Sequence, residues 1–583
     1  MKYKLYPNNG KKNNVIEQFL FNRGIADPSK YLSLDESVTN HYTLLDNIDH
    51  ATELFTKTFE NKEKISILVD EDVDGYCSAA MMYNYIKSMD SDYPIDYILH
   101  EKKAHGLKGV DIPDDTKLLI VPDGGTNDTE QCKDLSDRGI KVIILDHHES
   151  ECDNPYAIIV NNQMSTRYPN KEFCGAGIVY KFLQSLDDYY WEELADNQLD
   201  LVALANISDV MDMRSEETKY YVDLGLKSIN NKCFQALINA QEFSMKGLVT
   251  IHNVQYNITP VINGCIRIGS YEERDLLFRA FIQTDESFEY KKRATKDKPA
   301  EVIQESIYDR AARLSKNAKS RQDKMRDKAL KEIIENIGDP KDNTDKVIIV
   351  DVTDIIPPSL TGVVSSRVTE YYNRPCLLLV QNEDRFGGSA RNIDNSPIDS
   401  FKDVVNQTDI LNGQGHANAF GILNFAVSDK DKANDKFNDM LKDVVYDSTF
   451  YVDDILVSEE VSVKDVIQFE NTKYLIGQGI QEPMLAIENI RLNKNDISIF
   501  GKTEDTMSFY INDIKFIRFK CKDGDPLYDW INYAWLDNNS IVITVVGKPG
   551  INEHDGVRTP QITISDLEIT ENNTVEDDDD LVW

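Results

Sequence analysis

The chain has 583 residues, enough for about three or four domains with sizeable cores, and 100 Asp and Glu against 64 Lys and Arg leave it a net charge of −36. That balance excludes a uniformly basic nucleic-acid binder and confines any polyanion contact to local patches or metal ions. The eight cysteines form no C-x-x-C pair, which speaks against structural zinc and a disulfide framework, and no run approaches the roughly 18 apolar residues of a membrane span.

Residues 1–50 read as a small helical preface, with NVIEQFLFNRGI at helical spacing and Gly24 as its stop. The leading MKYKLYPNNGKKNN has no apolar core of a secretion signal, so a soluble, cytoplasmic protein is expected. Residues 51–286 alternate aliphatic runs with helix-patterned segments such as 78–87, the pattern of a doubly wound parallel α/β sheet. Residues 287–340 are expected to form one long charged connecting helix; 290–331 hold 14 Lys or Arg against 6 Asp or Glu, a net +8 in an otherwise acidic chain. A second α/β unit follows at 341–450. Short alternating strands at 451–572 suggest a small antiparallel barrel. Residues 573–583 form an acidic tail that ends Leu581-Val582-Trp583.

Within the first α/β unit, "ISILV" runs into Asp70-Glu71-Asp72-Val73-Asp74-Gly75, "KLLIVPD" ends at Asp123 before Gly124-Gly125, and "VIILDHHE" carries Asp146, His147 and His148. A strand buried on both faces can release polar groups only at its carboxyl end, where such sheets bind ligands. An EF-hand starts with the same Asp spacing, but it needs Glu at its twelfth position, here Met81, and a helix in front, where this chain has "ISILV". Alternate residues of an extended loop point the same way, so Asp70, Asp72 and Asp74 can face one or two metal ions. Asp123, His147 or His148, and Asp209 complete a set that suits manganese or magnesium better than zinc or copper. Singly, an Asp after a strand is a turn or cap residue; three strand ends bearing such groups, one with triple-Asp spacing, reverse that reading.

In this order, with "PDGGTND" and "ISD" at 207–209, the motifs resemble the DHH phosphoesterase superfamily, and the rest of the chain is similar to the RecJ-type single-strand-specific 5′-to-3′ exonucleases. "RGI" at 23–25, "CGAGIVYKF" at 174–182, "INGCIRIG" at 262–269, "GGSARN" at 387–392, "GHANAFG" at 415–421 and "EPMLAIENIRL" at the start of an OB-like barrel carry the likeness. It implies a two-ion Mn²⁺ or Mg²⁺ phosphodiesterase. Asp70, Asp72, Asp74, Asp123, His147 and Asp209 are its metal shell, and His148 lies near the scissile phosphate. Asp146 orients an imidazole. Ser389, Arg391 and His416, with Arg267 and Lys103, reach the substrate, a single DNA strand with a 5′-phosphate. Where the family has Arg and then E-G-Y-G-L, this chain has "HEKKAHGL", so Lys102, Lys103 or His105 stands for that arginine.

The rival readings are an oligoribonuclease or cyclic-dinucleotide phosphodiesterase of the same superfamily, or a non-catalytic Cdc45-like DNA-binding scaffold. The basic connector and the barrel favour a longer polymer, and the full ligand set favours catalysis. The acidic tail resembles the tips of single-strand-binding proteins and implies contact with them or with other replication and repair proteins. The domain plan is consistent with a monomer.

Overall fold

The computed structural model describes the chain except residues 102–104, 293–298, 341–342, 394–395, 447–448, 502, 523, 534–539, 555 and 574–583. Lys103 and the acidic tail therefore lie outside the described residues. No described helix is long and apolar enough to cross a membrane.

The expected parallel sheet has five strands in the order Ile95–Leu99, Ile65–Val69, Leu118–Pro122, Lys141–Asp146, Ile158–Asn161. Every residue of Ile65–Val69 and Leu118–Pro122 is buried, because helices cover both faces and an aliphatic side chain fits either way. Each buried Ile or Leu contributes roughly 1.5–3 kcal/mol. The chain leaves Ile65–Val69 toward one edge and returns on its other side as Leu118–Pro122, so the order of strands reverses between these two. The helices Val73–Met89, Gly175–Tyr190 and Leu199–Ser208 pack together on one face of the sheet.

Residues 287–306 depart from the expected single helix. They form an antiparallel hairpin, Ser287–Lys292 with Glu301–Ser306, and the helix proper is Ile307–Ile337. The charged residues conceal an alternation that places Phe288 and Tyr290 on one face, where Arg310 and Arg313 stack over their rings at 4.5 and 4.0 Å. Ser306 caps the helix by accepting from the Asp309 amide, and Gly338 ends it at φ 83°. Ala311, Ala312 and Ala318 join the core of the catalytic unit, while Ala329 and Ile333 join that of the next, so one helix belongs to both.

The second unit is a five-stranded sheet, ordered Asn412–His416, Ala419–Ala426, Arg385–Arg391, Cys376–Asn382, Ile348–Asp351; only the last pair is parallel. The C-terminal unit is a seven-stranded mixed sheet that begins at Asp454–Val457 and ends at Ser498–Phe500. No pairing joins those edges among the described residues, and two strands, Ser540–His554 and Val557–Asn573, are far longer than the expected short ones.

The helical preface also departs from expectation. Lys2–Leu5 is a strand, paired in parallel with Thr449–Val452. Arg23 of "RGI" forms a buried, two-pronged ion pair with Asp453. The partners lie so far apart in the chain that no local pattern announces either contact.

Candidate active site

Asp70 and Asp123 are the first residues beyond the two strands between which the order reverses, the crevice where open α/β sheets take ligands. Asp123 sits at φ 60°, a left-handed conformation that Asp tolerates better than most residues. Asp72 caps the helix Val73–Met89 by accepting from the Gly75 amide at 2.9 Å. Asp74 accepts from the amides of Gly175 and Ala176 at 2.6 and 2.8 Å and from the Ser78 hydroxyl at 3.0 Å. The first turn of the helix Gly175–Tyr190 thus fixes a carboxylate from another element, and its positive end favours the charge.

Two glycines make room. A Cβ on Gly75 would stand 2.6 Å from Cβ of Asp70, and one on Gly175 would stand 2.6 Å from Cβ of Asp123.

His147 meets the carboxylates across the crevice: its Nε2 lies 3.2 Å from Asp123 Oδ1, 3.4 Å from Asp209 Oδ2 and 3.8 Å from Asp74 Oδ2. Ligand atoms of Asp74, His147 and Asp209 lie within 4.8 Å of one another, as do those of Asp70, Asp72 and Asp123, and those of Asp123, His147 and His148. The structure therefore brings together all six residues expected to ligate.

Electrostatics distinguishes the two histidines. Burial, reinforced by His148, takes His147 down to about 3, so it is neutral and offers a lone pair. Burial also opposes charge on His148, but Asp146 outweighs it and raises the group to about 10. His148 Nδ1 lies 2.7 Å from Asp146 Oδ1, and Oδ2 of the same carboxylate accepts from the Thr126 hydroxyl at 2.6 Å and its amide at 3.2 Å. Asp146 is buried, yet His148, His147 and Thr126 hold it below the usual carboxylate range. It orients and charges His148.

The remaining acids are crowded. Burial, then Asp74 and Asp72, push Asp123 and Asp209 well above the ordinary range; burial and Asp72 push Asp74 up to about 6. Asp123 Oδ1 and Asp209 Oδ2 are buried without a hydrogen-bond partner among the described residues. A divalent cation would satisfy both atoms and cancel the repulsion, and this oxygen-rich set with one neutral imidazole fits manganese or magnesium.

Asp70 is held differently. Its Oδ1 accepts from the Gly106 amide at 3.0 Å, and Oδ2 lies 2.7 Å from His105 Nδ1. His105 thus stands against a carboxylate and is poorly placed to replace a phosphate-binding arginine. His100, buried, lies with Nε2 3.8 Å from Asp70 Oδ1. The sequence alone assigns no role to His100, Thr126 or Gly175, although "HEKKAHGL", "PDGGTND" and "CGAGIVYKF" contain them, whereas Gly75 closes the triple-Asp motif.

The second unit supplies the opposite wall. A cleft of about 1180 Å³ is lined by Asp209, Arg267, Arg391 and His416 together. Ser389 and Arg391 lie on the strand Arg385–Arg391, and His416 ends Asn412–His416. Arg267 lies in the last turn of the helix Thr259–Ile268 and makes no hydrogen bond or ion pair among the described residues. Burial pushes both guanidinium groups below their ordinary value, so each favours an anion that enters.

A parallel sheet whose strand ends gather carboxylates around a DHH sequence, facing an arginine-bearing second unit, defines a metal-dependent phosphoesterase fold. The model of the DHH family, N-terminal domain, matches residues 64–206. YorK, an SPbeta prophage-derived protein of Bacillus subtilis (strain 168) named as a single-strand DNA-specific exonuclease, is 36% identical over 578 residues, covering 98% of each chain. The single-stranded-DNA-specific exonuclease RecJ of the same organism is 25% identical over 548 residues, 89% of this chain and 63% of that one. RecJ of Thermus thermophilus, solved in complex with Mn²⁺, superposes with a TM-score of 0.71 at 17% identity, covering 95% of this chain and 76% of that one. The chain belongs to the RecJ-type exonucleases of the DHH family.

Proposed function

We propose that this chain is a divalent-metal-dependent exonuclease that degrades single-stranded DNA from a 5′-phosphorylated end, releasing mononucleotides. One observation carries the reading: Asp209, a member of the carboxylate and imidazole cluster, lines one cleft with Arg267 of its own unit and with Arg391 of the second. The names of its relatives support the substrate, and the solved complexes with Mn²⁺ and Mg²⁺ support the cofactor.

Asp70, Asp72, Asp74, Asp123, His147 and Asp209 would hold two ions, which when bound supply Lewis acidity and an activated water. Arg267, Ser389 and Arg391 receive the terminal phosphate, and the planar guanidinium groups match its oxygens. The helix Thr361–Tyr372 begins beneath them: a Cβ on Gly362 would stand 3.1 Å from an Arg391 nitrogen. Its N-terminus adds a favourable dipole for an anion. Held there, the strand presents its next phosphodiester to the cluster, where charged His148 stabilises the phosphate oxygens. The cleaved bond is P–O3′, so the remaining strand again starts with a 5′-phosphate. The chain acts as a cytoplasmic monomer, and its acidic tail contacts single-strand-binding or other repair proteins.

The test is Mn²⁺-dependent digestion of a 3′-labelled single strand, with and without a 5′-phosphate, beside a duplex and a cyclic dinucleotide. Mononucleotides from the phosphorylated strand, lost in Asp123→Ala, support the reading. Cleavage of the dinucleotide alone moves the protein to the small-substrate branch.

A further inference from the structure

Behind the arginine pair lies a second cavity, of about 520 Å³. It meets the catalytic cleft at Arg267, Ser366, Glu370 and Arg391, yet none of the six clustered ligands lines it. Its volume falls in the usual range for small-molecule sites.

Its lining has polar groups with nothing to bond. Gln322, 3% exposed, carries a buried Nε2 without a partner among the described residues, and so does Asn263 at Oδ1. Both line this cavity. Both atoms are shielded from solvent; a turn of either side chain into the chamber it lines would let it bond a ligand with a complementary edge, and a buried donor or acceptor left unmet costs free energy that a bonded one does not. Tyr256 adds an aromatic face at the same chamber: it is 64% exposed, leans on His252 with ring centroids 4.6 Å apart, and lies in the π-helical turn Val254–Ile258. Such turns are frequent at functional sites.

An aromatic face, an amide donor, a carbonyl acceptor and an adjoining pair of guanidinium groups match a nucleoside joined to a phosphate. We propose that this chamber binds the nucleoside on the 5′ side of the phosphate held by Arg267 and Arg391. This rests on the exonuclease reading above and extends it to strands whose first nucleotide bears a 5′-hydroxyl. Such a strand seats its first phosphodiester at the arginine pair and its terminal nucleoside in the chamber, which brings its second phosphodiester to the metal cluster. Water oxygen bonds to that phosphorus, the P–O3′ bond breaks, and the departing 3′ oxygen takes a proton. The products are a dinucleoside monophosphate and a strand that begins with a 5′-phosphate.

The experiment follows the first product by mass spectrometry, with Mn²⁺, from otherwise identical 5′-phosphate and 5′-hydroxyl strands. Wild type is expected to release a mononucleotide from the first and a dinucleoside monophosphate from the second. Tyr256→Ala should lower the ratio of the 5′-hydroxyl rate to the 5′-phosphate rate about tenfold, the scale of one lost base stack. Gln322→Leu should lower the same ratio while keeping the fold, because it removes an unmet donor. Release of a mononucleoside, no use of the 5′-hydroxyl strand, or an unchanged ratio in both variants overturns the proposal. Failure on the 5′-phosphate strand overturns the exonuclease reading instead, so the two are told apart.

Discussion

Asp146 and His148 form a pair in which a buried carboxylate, 2.7 Å from the imidazole Nδ1, fixes that ring and keeps it charged while the neighbouring His147 stays neutral. In Asp146→Asn, the Oδ2 acceptor site becomes an amide that faces the Thr126 amide, donor against donor. Hydrolysis should fall about 10- to 100-fold, the usual effect of removing such a supporting group. His148→Ala should cost a similar amount, and the double variant should add little, because the carboxylate acts through that ring. Additive losses in kcat/KM would separate the two residues.

Asp123 belongs to the group most crowded by other carboxylates. Asp123→Ala should abolish hydrolysis and also shrink the rise in melting temperature that wild type shows on addition of Mn²⁺, since binding stabilises in proportion to affinity. In metal-free buffer the same variant should melt no lower than wild type, because a buried charge pushed far above its ordinary range is gone. A calorimetric scan with and without chelator checks both outcomes.

Gly175→Ala tests positioning without touching a ligand's chemistry. The new methyl would stand 2.6 Å from Cβ of Asp123, so the ligand or the helix must move. A displacement of this size at a reaction centre costs on the order of 100-fold in rate. Weaker Mn²⁺ binding by titration should accompany it, with helix content retained by circular dichroism.

Arg391→Lys keeps a positive charge and loses the planar fork. Discrimination between 5′-phosphate and 5′-hydroxyl strands should fall several-fold through KM, while kcat changes less. An effect confined to kcat would place the residue at the reacting phosphate.

Away from the cleft, Lys181 and Glu217 form a buried pair at 3.0 Å, and Tyr168, Asn170 and Asn40 complete the carboxylate's hydrogen bonds. Lys181→Met leaves that charge buried and should destabilise the protein by about 3–5 kcal/mol in urea unfolding. Pairing it with Glu217→Gln should recover part of the loss.

The parallel sheet and the gathering of acids at its rim were legible because each signal is local: an aliphatic run long enough for a strand, then Asp70, Asp123 or Asp146 at its end. Asp209 ends a helix, where only the motif order marked it. The hairpin 287–306 was hidden because its outward residues are charged like those of a solvated helix, and the stacking of Arg310 and Arg313 that fixes it comes from the following element. The contact of His105 with Asp70 depends on where a loop returns, and nothing in "HEKKAHGL" encodes that path. Ser389, Arg391 and His416 could be placed by resemblance alone, since a glycine-rich strand with one arginine carries no signal of what it faces.

The parallel pairing of Lys2–Leu5 with Thr449–Val452 has a consequence for synthesis. The strand leaves the ribosome well before its partner, which follows only after two further units have emerged. At about 5–20 residues per second, that interval is some tens of seconds. During it, an edge is open to any extended segment nearby, and Lys2 and Lys4 are the kind of residue that discourages such mispairing. Closing that edge makes the docking of Lys2–Leu5 a late step in folding, although it is made before its partner.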